Sequence, residues 1–226
     1  RTPRRRPRPG PLHAAQPELR LQRRADPARR LDVGAPRRTM AEQAQAMNHE
    51  QVIADTRDWV VKAVIGLNLC PFAKAVHVNE RIRYVVSDAT EPEALLKDLA
   101  RELLALNRAD PEEIDTTLLI HPGVLTDFLE FNDFLDAADA LVDELKLDGI
   151  LQIADFHPGY QFEGTPVDDI GNYSNRSPYP TLHLLREDSI TRAVDAMPDT
   201  AAIFEANLDT LEKLGLDGWR ALGLKA

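Results

Sequence analysis

Three groups of residues carry the chemistry this sequence could perform. The first is the single cysteine, Cys70, in GLNLCPFAK. Pro71 suits the first position of a short helical turn through Phe72, Ala73 and Lys74, which makes Cys70 its cap. Backbone N–H groups there favour a thiolate, and Lys74 adds positive charge one turn later. The competing expectation is a small buried hydrophobe, a common fate of unpaired cysteine.

The second group is a pair of histidines that end apolar runs, His121 in TTLLIHP and His157 in ILQIADFHP. In open α/β sheets ligands bind outside the carboxyl ends of the strands, so two such histidines face one crevice if their strands are neighbours. Asp155, two residues before His157, falls on the same side of its strand. There it could orient the imidazole or share a metal with it. The plainer expectation is that each His-Pro ends its strand, with the ring bonded to a nearby carbonyl.

The third group lies in the polar stretch 159–180, a length uncommon in a loop without a function. It holds Tyr160, Gln161, Asp168, Asp169, Asn172, Tyr173, Asn175, Arg176 and Tyr179. Between Ala109 and Thr191 the basic residues are Lys146, Arg176 and Arg186. A guanidinium held above a crevice suits a carboxylate or phosphate, so Arg176, with Asn175 and Tyr160, is the expected ligand contact. A mobile lid with solvated charges is the alternative. The acids from Asp127 to Glu144 lie mostly opposite a Leu/Phe stripe and read as a solvated helix face.

The elements that must position these residues follow from periodicity. Apolar residues from Val52 to Leu67 recur at helical spacing and stop at Cys70-Pro71. Residues 82–87 and 116–120 read as strands. Between them, Thr90-Glu91-Pro92-Glu93 reads as a capping box that opens a helix through Leu104. Another helix carries Leu125 to Leu145, and residues 150–156 make a third strand. Residues 181–186 fit either a strand or the first turns of a helix. A helix follows over 188–197, and a last one is capped by Asp199 and stopped by Gly215. Alternating strands and helices with short connections predict a single compact α/β domain over 48–215, its mixed or mostly parallel sheet covered by helices, with residues 216–226 as a tail.

The charge divides the 226-residue chain. Its net −10 combines +9 over residues 1–39 with −19 over the remainder. An acidic body argues against nucleic acid as the main partner, because binding a phosphate backbone needs clustered Lys and Arg. Residues 1–39 hold twelve Arg and seven Pro and show no helical or strand period, the composition of a disordered extension. Three readings compete for it: a basic arm for nucleic acid or an anionic membrane, a transit peptide, and a segment outside the native protein. The absence of Ser weighs against the second. Met40 and Met47, where patterning begins, support the third. One Cys excludes a disulfide framework and a Cys-rich zinc module. No run approaches 18 apolar residues, so a soluble, cytoplasmic protein without membrane partners is expected.

The common nucleotide, hydrolase and metalloprotease fingerprints, GxGxxG, GxSxG and HExxH among them, are missing. Six segments together nevertheless resemble a family of bacterial proteins known only as a numbered domain of unknown function. They are AVIGLNLCPFAKAV, RYVVSDAT, DTTLLIHP, TDFLEFNDFLDAADALV, DFHPGYQFEGT and NRSPYPTLHLLRE. The resemblance runs from about residue 50 to about residue 215 and implies a bacterial cytoplasmic protein. It brings no activity or cofactor.

The leading expectation is a small-molecule enzyme with its site at the strand carboxyl ends. In a thiol version Cys70 is the nucleophile and His157 the base, oriented by Asp155. In a metal version His121 and His157 hold a divalent ion that activates water. The rival is a non-catalytic module that binds a small anion or a partner protein. Substrate, cofactor and oligomeric state stay open.

Overall fold

A computed structural model describes residues 49–196 and 200–225 of the chain. The expectations for residues 1–39, and for Asp199 as a helix cap, lie outside them. The order is helix α1 (His49–Trp59), which continues as a π-helical turn (Val60–Ile65), then α2 (Ala73–Val78), β1 (Ile82–Val86), α3 (Pro92–Arg108), β2 (Thr116–Ile120), α4 (Phe128–Glu144) and β3 (Leu151–Phe156). A 3₁₀ turn (Ile170–Ser174), β4 (Thr181–Arg186), α5 (Glu187–Ala196) and α6 (Thr200–Ala221) complete it.

The four strands form one mixed sheet in the order β1-β2-β4-β3. β1 and β2 are parallel, whereas β4 runs antiparallel to both of its neighbours, β2 and β3. The chain is thus an α/β fold, and residues 181–186 are strand. β4 separates β2 from β3, so the two strands that end in histidine point the same way without pairing.

Both faces of the sheet are covered, which is why β2 is buried at all five positions. On one face Leu119, Leu182, Leu184 and Leu151 pack under Leu95, Leu99 and Leu103 of α3 and Phe131, Phe134 and Ala138 of α4. On the other, Leu118 and Ile120 meet Val52, Trp59, Val60 and Ala63 of α1 and its continuation. Helix α3 begins one residue later than the capping-box reading requires. Glu91 is its N-cap, without a side-chain bond, because Pro92 already fixes the backbone of the first turn.

The segment expected as a tail is part of the second layer. Gly215 breaks α6 with φ 62° and ψ 174°, a conformation open essentially to glycine alone. The chain then turns so that Trp219, Leu222 and Leu224 pack against the α1-side core. Lys225 lies 4.0 Å above the ring of Tyr179 and donates to its hydroxyl, and that hydroxyl donates to Asp55 at 2.7 Å. Burial and the Asp55 carboxylate both push the Tyr179 phenol well above its usual range. It therefore stays protonated as the donor in this latch.

The π-helical turn depends on Gly66. A Cβ there would stand 2.3 Å from the carbonyl oxygen of Lys62, and a backbone atom cannot swing aside. Gly66→Ala is expected to cost about 2–3 kcal/mol, a fall of about 5–10 °C in Tm. An unchanged Tm would mean that the turn relaxes without its π geometry.

Candidate functional site

The carboxyl end of the sheet is where the sequence directs attention, and rings fill it. β2 runs into His121, whose N–H donates to Pro180 at 3.0 Å; β3 runs into His157, whose N–H donates to Asn175 at 3.2 Å. Both imidazoles stack on Phe131 of α4, with centroids 5.6 and 5.2 Å away. From His157 the pile continues outward through Phe128, Tyr160 and Phe162 to the half-exposed Phe204.

Both rings also hold the loop that joins β2 to α4. His121 Nδ1 donates to Val124 O at 3.0 Å, and His157 Nε2 donates to the next carbonyl, Leu125 O, at 3.2 Å. Gly159 N–H bonds back to His157 Nδ1 at 2.9 Å, which fixes that tautomer. Between the two clamps Leu125 is held at φ 55°, in the left-handed region that an apolar side chain enters only under outside constraint.

His121 is fully buried, and burial pulls its imidazole down to about 4, with the neighbouring His157 acting in the same direction. Its Nε2 is enclosed without a partner. His157 is lowered too, again chiefly by burial, while the Leu125 carbonyl and the Asp127 carboxylate pull it back up. Asp155 stands in β3, two residues before His157. The Asp127 carboxylate acts on the ring through space and also caps α4 through Leu129 N and Glu130 N. The sequence signal for Asp127 was its place just before the Leu/Phe stripe, and it was hidden within a longer acidic series.

Cys70 is placed apart from this pile. Phe72 and Ala73 N–H groups point at its sulfur, the arrangement its sequence suggested, but burial outweighs them and raises the thiol. The neighbouring Leu69 carbonyl accepts from Asn207 of α6 at 2.9 Å. Among the described residues no hydrogen bond or ring contact joins Cys70 to either histidine, and no group of three or more His, Cys, Asp or Glu side chains is placed to hold a metal ion.

The 159–180 loop is internally tied. Asn172 is fully buried; its Oδ1 accepts from Phe162 N and Thr165 Oγ1, and its Nδ2 donates to Pro166 O. Arg176 donates to Tyr160 O at 3.1 Å and Val167 O at 2.6 Å and lies 4.4 Å over the Tyr173 ring. Asn175 is buried, bonded to Ser174 Oγ. The guanidinium expected over a crevice is thereby engaged by its own loop.

Open space lies away from these rings. Beside the ends of β1 and β2 a notch of about 10 Å³ has room for about one water. A cavity of about 140 Å³ opens at the other end of the sheet, where β4 passes directly into α5. Pro111, Gly149 and Ile150 line it together with the polar Arg186, Asp188, Ser189 and Arg192.

Arg186 is nine-tenths buried. Its Nη2 donates to Leu106, Ala109 and Ile114 carbonyls at 2.7, 2.7 and 3.1 Å, and its Nε to Ile114 at 3.3 Å. Among the described residues nothing accepts from its Nη1. Burial pulls the guanidinium down, and Asp115 and Asp110 pull it back. Arg192 bonds Ser189 Oγ at 2.9 Å, and that hydroxyl donates to Asp115. The sequence named Arg186 as one of three cations in its stretch but offered no reason to prefer it to Arg176.

Among the described residues no helix is long and apolar enough to cross a membrane. No curated protein and no solved structure matches the chain. The family model described as "Protein of unknown function (DUF1415)" matches residues 51–221, from α1 to the end of α6, and the chain belongs to that family.

Proposed function

We propose that this domain is a non-catalytic module that binds a small anion, a carboxylate by preference, in the Arg186–Arg192 cavity. The observation that carries the reading is the cavity itself, about 140 Å³ with two guanidinium groups in its wall, in a body that sums to −19. That space compares with the roughly 150 Å³ of an engineered cavity that takes benzene, so it suits a ligand of about six heavy atoms. The open Nη1 of Arg186 and the exposed Arg192 supply charge-assisted donors to a carboxylate.

The thiol and metal versions receive less support. The Cys70 thiol is raised by burial, both ring nitrogens of His157 are engaged, by the Leu125 carbonyl and the Gly159 N–H, and among the described residues no third ligand is grouped with the two histidines.

Propionate is the direct probe. Titration followed by amide NMR is expected to shift Ser189 and Arg192, with Kd of about millimolar for so small a ligand. Arg192→Gln is expected to weaken it about tenfold. Shifts at the strand carboxyl ends with none at Ser189 would overturn the assignment.

A further inference from the structure

Two opposite charges line this cavity without meeting. Asp188 and Arg192 are four residues apart on α5, a spacing at which carboxylate and guanidinium on one helix face ordinarily pair. Among the described residues neither makes an ion pair, with the other or with anything else, and Asp188 also makes no side-chain hydrogen bond. Arg192 turns instead to Ser189 Oγ. Both side chains nevertheless border the same space, so the gap between them is part of the cavity. On the Arg186 side the unoccupied donor is Nη1.

We propose that the ligand is a small zwitterion, an α-amino acid with a short side chain. Its carboxylate is held by Arg186 Nη1 and Arg192, and its ammonium by Asp188. This rests on the anion reading above and adds the cationic half of the ligand. Three features agree with it. A simple anion would leave Asp188 facing it as a like charge, which costs affinity; an ammonium beside the carboxylate turns that repulsion into a second anchor. The volume matches about six heavy atoms, the size of alanine. Pro111, Gly149 and Ile150 offer a short apolar wall for a methyl group.

The test compares L-alanine with propionate, which differs from it by the ammonium alone. NMR or calorimetric titrations would use wild-type protein, Asp188→Asn and Arg192→Gln. Alanine is expected to bind about tenfold more tightly than propionate, equivalent to about 1.4 kcal/mol. Asp188→Asn is expected to erase that margin while leaving propionate at least as tight, and Arg192→Gln to weaken both ligands. Propionate binding as tightly as alanine would overturn the zwitterion and leave the anion reading standing. Neither ligand moving the resonances of Ser189 and Arg192 would overturn both. A margin that survives in Asp188→Asn would remove Asp188 from the site.

Discussion

Arg186→Met is expected to lower the stability of this domain by about 3–5 kcal/mol, a large share of the roughly 5–15 kcal/mol that holds a typical fold together. The reason is the end of α3. Its last turn leaves backbone carbonyls short of intrahelical donors: Leu106 O has the long 3.2 Å bond from Ala109 N, and the Ala109 carbonyl lies just past the helix end. One guanidinium from the end of β4 serves both, together with Ile114 on the way into β2. A methionine fills similar volume and supplies no N–H, so three acceptors around a nine-tenths buried side chain lose a charged donor at once. Arg186→Lys is expected to fall between the two, because an ammonium lacks the planar fork. Urea midpoints would settle it; Met and wild type with equal midpoints would contradict the capping role. The same residue fastens the sheet to α3 and borders the cavity, so binding is better probed at Arg192.

Acid is expected to weaken the domain through the buried histidines. His121 titrates at about 4 in the folded chain and near 6.5 when unfolded, so between those values the unfolded chain binds more protons. Stability from this residue is fully present above about pH 6.5 and is lost as pH falls toward about 4, a change of about 3 kcal/mol. His157 is shifted downward as well and acts in the same sense. Urea unfolding at about pH 7 and about pH 4.5 should show the loss. In His121→Phe the stack on Phe131 is retained, the Val124 carbonyl loses its donor, and the acid-dependent part of the loss should shrink. Equal wild-type midpoints at the two pH values would mean that the ring is solvated or already protonated.

Much of the fold was legible because it rests on local periodicity. The helical spacing of leucines before and after β2 and the apolar runs of β2 and β3 are properties of short windows, and they mark α3, α4 and the strands between them. The sequence also located the two histidines at strand ends. TLHLLR satisfies either period, so the sequence leaves residues 181–186 open between strand and helix. Its partners decide it, since β4 bonds to β2 on one side and β3 on the other. The packing of the residues beyond Gly215 escapes the sequence for a related reason. Trp219 and Leu224 are too sparse to show a period, and they gain a face only when the chain folds back across the sheet.

The sequence by itself determined the family, the α/β class, the acidic body and the short roster of cations and titratable groups. Tertiary structure decided what each group does. Insertion of β4 between β2 and β3 separates the histidine strands by one strand width. Phe131 fills the remaining space, so the rings become clamps on Val124 and Leu125 where a crevice was expected. Arg176 finds carbonyl acceptors within its own loop. Arg186, similar to it in sequence terms, is carried to the opposite end of the sheet, where Nη1 stays open. The physical reason is that a side chain's chemistry depends on which of its hydrogen-bonding atoms remain unsatisfied after packing, and those partners come from residues tens of positions away.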